Sequence, residues 1–298
     1  MKRKFLTSAV AVAAALISLF SSCVGELERQ FPWEGSAIDT SSHGPAVDTT
    51  ARSLIVLDFT ATWCVNCPNM AYAIAELADT DSSVNLIPIS VHYEDEMSCD
   101  ASNFLVQKFS VSSFPVALFS FNSSLRTSTP SSEILKALAG QSLSGTPEGC
   151  SISAEVEVEN GVFNIEATVD YSSDGTYSIG AALLEDGIVA PQIGSGEEYV
   201  HDNVLRAFLQ KDYDGDSLGM KCKGDSDKVK FSFTPQPRWN TDSMKVVVYV
   251  IFDGNPSSVC NAGTFRIPYY SDSAFFFVSC ALKSAKILWK RQVTLSRL

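Results

Sequence analysis

The sequence SLIVLDFTATWCVNCP, residues 53–68, joins an apolar run to two closely spaced cysteines. Its first half, Ser53 to Phe59, is almost continuously apolar, which is typical of a central strand covered on both faces. After the cysteines, apolar residues recur at helical spacing over residues 70–78. Cys64 and Cys67 are therefore predicted to lie at a strand-to-helix junction.

This position favours redox chemistry at the two cysteines. The free N–H groups and the dipole at a helix N-terminus stabilise a thiolate, which is the form that attacks a disulfide. Cys64 is the expected nucleophile, and Cys67 is close enough in sequence to resolve the mixed disulfide that Cys64 would form. Zinc sites and inert structural disulfides also use CxxC pairs, and both alternatives stay open. Zinc is disfavoured because the sequence has no second CxxC and no HxxxH pair.

Three further features resemble thioredoxins over about residues 53–140. Trp63 directly precedes the pair, Asp58 stands six residues before Cys64, and VSSFPV at residues 111–116 resembles the segment that holds a cis-proline facing the sulfurs. The resemblance implies that Asp58 accepts a proton from Cys67 and that Pro115 faces the sulfurs. A strand-end residue in solvent is the alternative for Asp58.

The remaining pattern up to residue 145 completes an α/β thioredoxin-like domain, predicted over residues 51–145. Strands are predicted at 86–91 and 116–121, and helices at 100–109 and from Ser131 to Gly140. His92 follows a strand, where a histidine is more often on the surface than in an active site. Cys99 is interpreted either as a regulatory thiol or as part of an ordinary disulfide.

The N-terminus has the layout of a lipoprotein signal peptide over residues 1–22. Three basic residues precede an uncharged apolar stretch at 6–20, and Cys23 follows two serines. The stretch is shorter than the roughly 20 residues of a membrane span, which favours cleavage over a retained transmembrane helix. Cys23 resembles a lipobox cysteine, which implies acylation there; a plain secreted protein is the alternative. Residues 23–50 are predicted to be a flexible tether.

After residue 150 the pattern changes to short strands that alternate apolar and polar residues. Strands are predicted at 154–158, 162–171, 176–185, 227–233 and 245–252, with hairpin signals at Asn160-Gly161 and Asp174-Gly175. The prediction is an antiparallel β-sandwich of six or seven strands over residues 150–270. Residues 271–298 form a tail to which we assign no role.

A second resemblance rests on residues of both halves. The sequences YVHDNVLR at 199–206 and VVVYV at 246–250, the stretch from Gly215 to Gly219, and the upstream CVNCP are similar to the outer-membrane-protein-twenty-eight-like lipoproteins. That resemblance implies a Gram-negative envelope protein, most simply at the outer membrane, with a thioredoxin-like part before a β domain. It implies location more than a reaction.

Composition excludes some partners and leaves several cysteines unassigned. A net charge of −12 and the absence of a basic stripe before the last few residues argue against nucleic acid binding. Asp212, Asp214 and Asp216 resemble a Ca²⁺ loop only loosely, and a solvated hairpin is preferred, so we expect neither a metal nor a cofactor. Apart from Cys23, Cys64 and Cys67, five cysteines remain, at positions 99, 150, 222, 260 and 280. Because this number is odd, one of them is predicted to stay a free thiol.

The leading hypothesis is a lipid-anchored thiol–disulfide oxidoreductase that acts on exported envelope proteins carrying thiols or disulfides. Cys64 would attack, Cys67 would resolve, and Asp58 would take the proton, beside Trp63 and Pro115. The alternative is a surface binding or adhesion lipoprotein that keeps the thioredoxin fold only as a scaffold.

Overall fold

The computed structural model describes residues 52–81, 85–145, 149–252 and 258–267. The predicted signal peptide, Cys23, the tether, the tail at 271–298 and Cys280 lie outside the described residues. Within the described ranges, no helix combines the length and the apolar character that a membrane crossing requires.

The first half has a sheet covered by helices on both faces, as predicted for a thioredoxin-like domain. Strand β1 pairs in parallel with β2 and antiparallel with β3, which pairs with β4. Leu54 and Val56 of β1 pack with α1 and α3, whereas Ile55 and Leu57 pack on the opposite face, toward α2. The elements are β1 (Ser53–Thr60), α1 (Cys67–Thr80), β2 (Asn85–His92), α2 (Asp100–Lys108), β3 (Val116–Phe119), β4 (Arg126–Thr127) and α3 (Ser132–Ser144).

Helix α3 continues four residues beyond its predicted end. Ser131 caps its N-terminus, as expected, but the helix passes through Gly140 and ends at Ser144, with Gly145 as the C-cap. Glycine inside a helix costs about 1 kcal/mol relative to alanine. Leu143, in the extra turn, packs against the same core as Leu135 and Ala139, and this burial offsets the cost.

The second half contains the predicted sandwich. One layer is the sheet β12-β6-β5, and the other contains β14, β13 and β7. The two layers share a core in which Ile152 and Ile165 meet Ile179 and Val248. The strands are β5 (Cys150–Glu159), β6 (Val162–Tyr171), β7 (Gly175–Glu185), β8 (Ile188–Gln192), β9 (Gly196–His201), β10 (Val204–Phe208), β11 (Asp216–Lys221), β12 (Ser226–Phe233), β13 (Met244–Phe252) and β14 (Val259–Arg266).

One of the two predicted hairpins is confirmed and the other is wrong. Asn160 and Gly161 both have positive φ and join the paired strands β5 and β6, as a tight hairpin turn requires. Asp174-Gly175 joins β6 to β7, which belong to different sheets. The chain crosses there from one layer of the sandwich to the other, since β7 pairs with β10, β11 and β13 instead.

A single sheet runs through both halves of the protein. In the described residues its order is β14-β13-β7-β10-β2-β1-β3-β4, with β11 also pairing with β7. The junction is short: Val204 of β10 is in register with Ser90 of β2, and the Ser90 N–H donates to the carbonyl of Asn203 over 2.8 Å. The β domain is thus fixed to the edge of the thioredoxin-like sheet, while the limits 51–145 and 150–270 stay predictions.

A buried ion pair fixes this junction. Arg206 Nε donates to Glu185 Oε2 at 2.8 Å, and both side chains are almost fully buried. The other carboxylate oxygen of Glu185 accepts the N–H of Asn240, and Arg206 also donates to the carbonyl of Met97. The pair therefore connects β7, β10 and the segment before α2.

Replacing Arg206 by alanine is expected to lower the free energy of unfolding by about 3 kcal/mol, because Glu185 would remain buried without its charged partner. Urea unfolding measures this change. The matched control is Lys228→Ala, which breaks the exposed pair with Glu166 and is expected to change the free energy of unfolding much less, because solvent screens an exposed ion pair. Equal losses in the two variants would contradict the prediction.

Candidate functional site

Cys64 and Cys67 lie where β1 ends and α1 begins, as the sequence predicts. Their sulfurs are joined at 2.13 Å, and Cys67 is the first residue of α1, with Pro68 in the first turn. The Cys64 N–H donates to the carbonyl of Ala61, and the Cys67 N–H donates to the carbonyl of Cys64. In this oxidised form Cys64 is only 6% exposed and Cys67 is 1% exposed.

Pro115 and Trp63 lie in the surroundings of the pair. The Phe114–Pro115 peptide bond is cis, and Phe114 packs against the cluster that contains both cysteines. Phe114 also meets Trp63 edge to face at 5.4 Å and stacks on Tyr93 at 5.7 Å. The Trp63 indole N–H donates to the carbonyl of Tyr93, so aromatic contacts and one hydrogen bond hold the residue before Cys64.

His92 is buried beside the site, and its interpretation as a surface residue is wrong. Its Nδ1 lies 2.7 Å from Asp95 Oδ2, and that carboxylate also accepts the N–H of Thr62 in the cysteine loop. Burial raises the pKa of Asp95, but the hydrogen bonds from His92 and from the N–H groups of Thr62 and Met97 bring it below its ordinary value. Asp95 is therefore a negatively charged anchor for the loop.

Asp58 is buried in β1 and lines a cavity of about 430 Å³ together with Cys67. Its Oδ1 has no hydrogen-bond partner among the described residues, and burial raises its pKa to about 7. The alternative of a strand-end residue in solvent is thus wrong. A carboxyl group of this pKa changes protonation state near neutral pH.

The second half of the protein closes the same cavity. Tyr199 and His201 of β9 line it, and their rings lie 4.8 Å apart. Burial lowers the pKa of His201 to about 4, assisted by the nearby His92. His201 is therefore neutral at physiological pH, and its Nε2 is buried without a hydrogen-bond partner in the described structure.

The hairpin β8–β9 also holds the cysteine loop directly, which the sequence did not predict. The Gln192 side-chain amide donates to the carbonyls of Cys64 at 2.9 Å and Ala61 at 3.2 Å. The N–H of Ile193 donates to the carbonyl of Thr62. Gly194 has a φ of +90°, and a Cβ there would lie 2.8 Å from the Val65 carbonyl oxygen. The hairpin thus fits against the loop backbone at a position that only glycine tolerates.

The other cysteines of the described residues are unpaired. Cys99 caps α2, accepting the N–H of Ser102, and its thiol donates to the carbonyl of Leu205. Cys222 is exposed, whereas Cys150 and Cys260 are buried. No group of three or more His, Cys, Asp or Glu side chains in the described part of the chain is arranged to hold a metal ion.

Comparison with a solved structure of TM-score above 0.5 supports the fold. HBP35 of Porphyromonas gingivalis is similar with a TM-score of 0.60 at 20% identity, over 73% of this chain and 76% of that one. A domain of the outer membrane lipoprotein Omp28 from the same organism aligns with a TM-score of 0.29 at 17% identity, over 42% of this chain and 94% of that one. Among the curated proteins, none matches this chain.

Two family models match the sequence. The thioredoxin model matches residues 38–139, and the model of the outer membrane protein Omp28 matches residues 102–267. The second match begins in α2 and extends through the sandwich, so it crosses the sheet junction described above. Because it covers more than half of the 298 residues, this thioredoxin-like protein belongs to the Omp28 family of outer membrane proteins.

Proposed function

We propose that this protein is a lipid-anchored thiol–disulfide oxidoreductase of the cell envelope. The observation that carries the proposal is a Cys64–Cys67 disulfide at the N-terminus of α1, next to a cavity that Cys67 shares with the buried Asp58. A helix N-terminus stabilises a thiolate, and a carboxyl group with a pKa of about 7 suits proton exchange at neutral pH.

In the reductive direction the Cys64 thiolate attacks one sulfur of a partner disulfide. A Cys64–partner disulfide forms, the partner disulfide breaks, and the other partner sulfur leaves as a thiolate that takes a proton from water. Cys67 then loses its proton to the Asp58 carboxylate and attacks Cys64 Sγ, which restores the Cys64–Cys67 disulfide. The second partner sulfur leaves as a thiolate that takes a proton from water, and Asp58 returns its proton to water. Oxidation of a partner dithiol is the same sequence in reverse.

The surface around the pair supports a protein as the substrate. Trp63, Val65 and Tyr72 are large exposed apolar residues of the thioredoxin-like half, and Ile193 and Val200 are exposed on the β8–β9 hairpin. Because Ile193 and Val65 border the hydrogen-bonded contact between hairpin and loop, both halves contribute to this apolar rim. A rim of this kind fits apolar residues that flank a cysteine in an incompletely folded envelope protein.

Acylation at Cys23 is the proposed means of attachment. The family is one of outer membrane proteins, and this location supports the lipobox interpretation of the sequence before Cys23. A lipid anchor with a tether over residues 23–50 would let the redox site reach partners near the membrane.

The test is the pH dependence of iodoacetamide alkylation of the reduced protein. We expect a reactive thiolate whose pKa lies well below the value of about 8.5 for a free cysteine. This reactive thiolate should be retained in Cys67→Ser and lost in Cys64→Ser. An unshifted or inaccessible Cys64 thiol would overturn the proposal and favour a binding or adhesion lipoprotein built on a thioredoxin scaffold.

Replacing Gln192 by alanine is expected to raise the pKa of the Cys64 thiol by about one, which reduces its alkylation rate at pH 7 about tenfold. The substitution removes two donors from the carbonyls of Cys64 and Ala61, so their partial negative charges are no longer offset near the sulfur. The same alkylation titration measures the change.

The matched control is Gln210→Ala. Gln210 donates to the Tyr249 hydroxyl and accepts the N–H of Ala181, contacts that belong to the β domain. This variant is expected to reduce stability while the Cys64 titration stays at its wild-type position. A Gln192→Ala titration that coincides with the wild-type curve would show that the hairpin does not tune the thiol.

A further inference from the structure

A second pair of cysteines lies in the core of the β domain, in different layers of the sandwich. Cys150 is the first residue of β5, and Cys260 lies in β14. Their sulfurs are 3.6 Å apart although the residues are separated by 110 positions in sequence. In the described residues both are free thiols, so this proximity comes from the fold and not from an existing bond.

The backbone around the pair is well fixed. The Asn261 side-chain amide donates to the carbonyl of Cys150, and its oxygen accepts the N–H of Ser53 at the start of β1. Gly149 leaves space beside Cys260, because a Cβ at residue 149 would lie 3.1 Å from Cys260 Sγ. The two sulfurs are thus held together at the point where β5, β14 and β1 meet.

The surroundings are apolar and exclude solvent. Cys150 and Cys260 belong to the sandwich core with Tyr177 and Val250, and Cys260 is completely buried. The hydrogen bond with Cys260 and burial raise the pKa of the Cys150 thiol far above its usual range. Because burial shields both sulfurs of the folded domain from an external oxidant, we expect oxidation to occur while the chain is still folding.

We propose that Cys150 and Cys260 form a structural disulfide that joins the two layers of the sandwich. The two S–H bonds break, one Sγ–Sγ bond forms, and two protons go to water. The two electrons go to a disulfide oxidant, such as glutathione disulfide, whose S–S bond breaks to give two thiolates, and these take up two protons from water to become thiols. Bond formation requires the sulfurs to approach from 3.6 Å to about 2.0 Å. This inference does not depend on the proposed redox activity of Cys64 and Cys67.

Peptide mapping tests the proposal directly. The Cys64→Ser/Cys67→Ser protein is reduced, unfolded, and refolded in a mixture of glutathione and glutathione disulfide; free thiols are then blocked, and trypsin is added without reductant. We expect peptide 137–206 linked to peptide 246–266. The mass of the linked species should equal the sum of the two peptide masses less two hydrogens. Blocked thiols on both peptides, or a link from either peptide to Cys99, Cys222 or another cysteine, would overturn the proposal.

Thermal unfolding provides a second measurement in the same background. Because the bond would close a loop of more than 100 residues, the protein refolded under oxidising conditions is expected to melt about 10 °C above the protein refolded in reductant. The difference should disappear in Cys150→Ala/Cys260→Ala and persist in the matched control Cys99→Ala/Cys222→Ala. The proposal would be contradicted if this difference in melting temperature persisted in Cys150→Ala/Cys260→Ala. It would also be contradicted if the protein that keeps both cysteines showed no difference.

Discussion

Replacing Cys64 by serine is expected to reduce the rate of insulin disulfide reduction to that of the buffer thiol alone. A serine hydroxyl stays protonated at neutral pH and cannot form the mixed disulfide. Cys67→Ser is expected to be equally inactive in turnover but to retain the first attack, because Cys64 remains at the start of α1. The two cysteines are similarly buried in the oxidised protein, but the two serine variants are expected to give different products with a disulfide substrate.

The difference is measured by trapping. Each reduced variant is incubated with an oxidised, unfolded protein substrate, the remaining thiols are blocked, and the products are separated without reductant. Cys67→Ser is expected to accumulate a covalent complex that reductant releases, whereas Cys64→Ser gives none. Cys222→Ala is the control, because Cys222 is exposed and its loss should change neither turnover nor trapping. Trapping by Cys64→Ser would reverse the proposed roles.

The local part of the site was predictable from sequence. The apolar run of β1, the CxxC pair and the helical spacing after it are contiguous, and each has a direct physical meaning. The structure accordingly confirms β1 and α1 and shows Cys64 and Cys67 at the junction between them. Asp58 was found through the resemblance to thioredoxins, since it stands six residues before Cys64, and the structure shows it buried in β1.

The part contributed by the β8–β9 hairpin was not predictable, because its contacts join distant parts of the chain. Gln192 lies 128 positions from Cys64, and a lone polar residue between Pro191 and Ile193 has no periodicity that marks it as buried. The sequence YVHDNVLR was noted only as a family resemblance. The structure gives it a physical meaning, since His201 lines the cavity and Arg206 pairs with Glu185.

The shared sheet was missed for a similar reason. Strand β10 has five residues and is in register with β2 at one position only. Such a short edge contact leaves no pattern in either strand that differs from ordinary burial. The incorrect hairpin at Asp174-Gly175 shows the same limitation, because a turn signal indicates a reversal of the chain but not whether the next strand stays in the same sheet.

The contribution of Asp58 to the stability of the wild-type protein is expected to fall as pH rises from about 4 to about 7. Burial raises its pKa from 3.8 to about 7 in the folded state, so within this window the folded protein keeps a proton that the unfolded chain has released. At this carboxyl group the unfolded state then binds fewer protons than the folded state, so the Asp58 contribution to the free energy of unfolding decreases with pH. A pKa difference of about three corresponds to roughly 4 kcal/mol, reached above pH 7.

Asp58→Asn removes this titration and should therefore stabilise the protein at alkaline pH relative to wild type. Asparagine is close in shape to the protonated carboxyl group, so the difference between variant and wild type is expected to increase by roughly 3 kcal/mol from pH 4.5 to pH 8.5. Urea unfolding at both pH values, with Cys64 and Cys67 oxidised, measures it. The control is Asp216→Asn, at an exposed position of β11. Its free energy of unfolding should equal that of the wild type at both pH values.

The same variant separates stability from function. Because the asparagine amide cannot accept a proton from the thiol, resolution by Cys67 is expected to slow about tenfold or more at pH 7, while the first attack by Cys64 keeps its wild-type rate. Single-turnover experiments that follow the mixed disulfide measure both steps. If the variant is more stable and resolves the mixed disulfide more slowly, the fold keeps a destabilising carboxylate for its chemistry. If the rate of resolution is unchanged, Asp58 has no part in the mechanism, whatever its effect on stability.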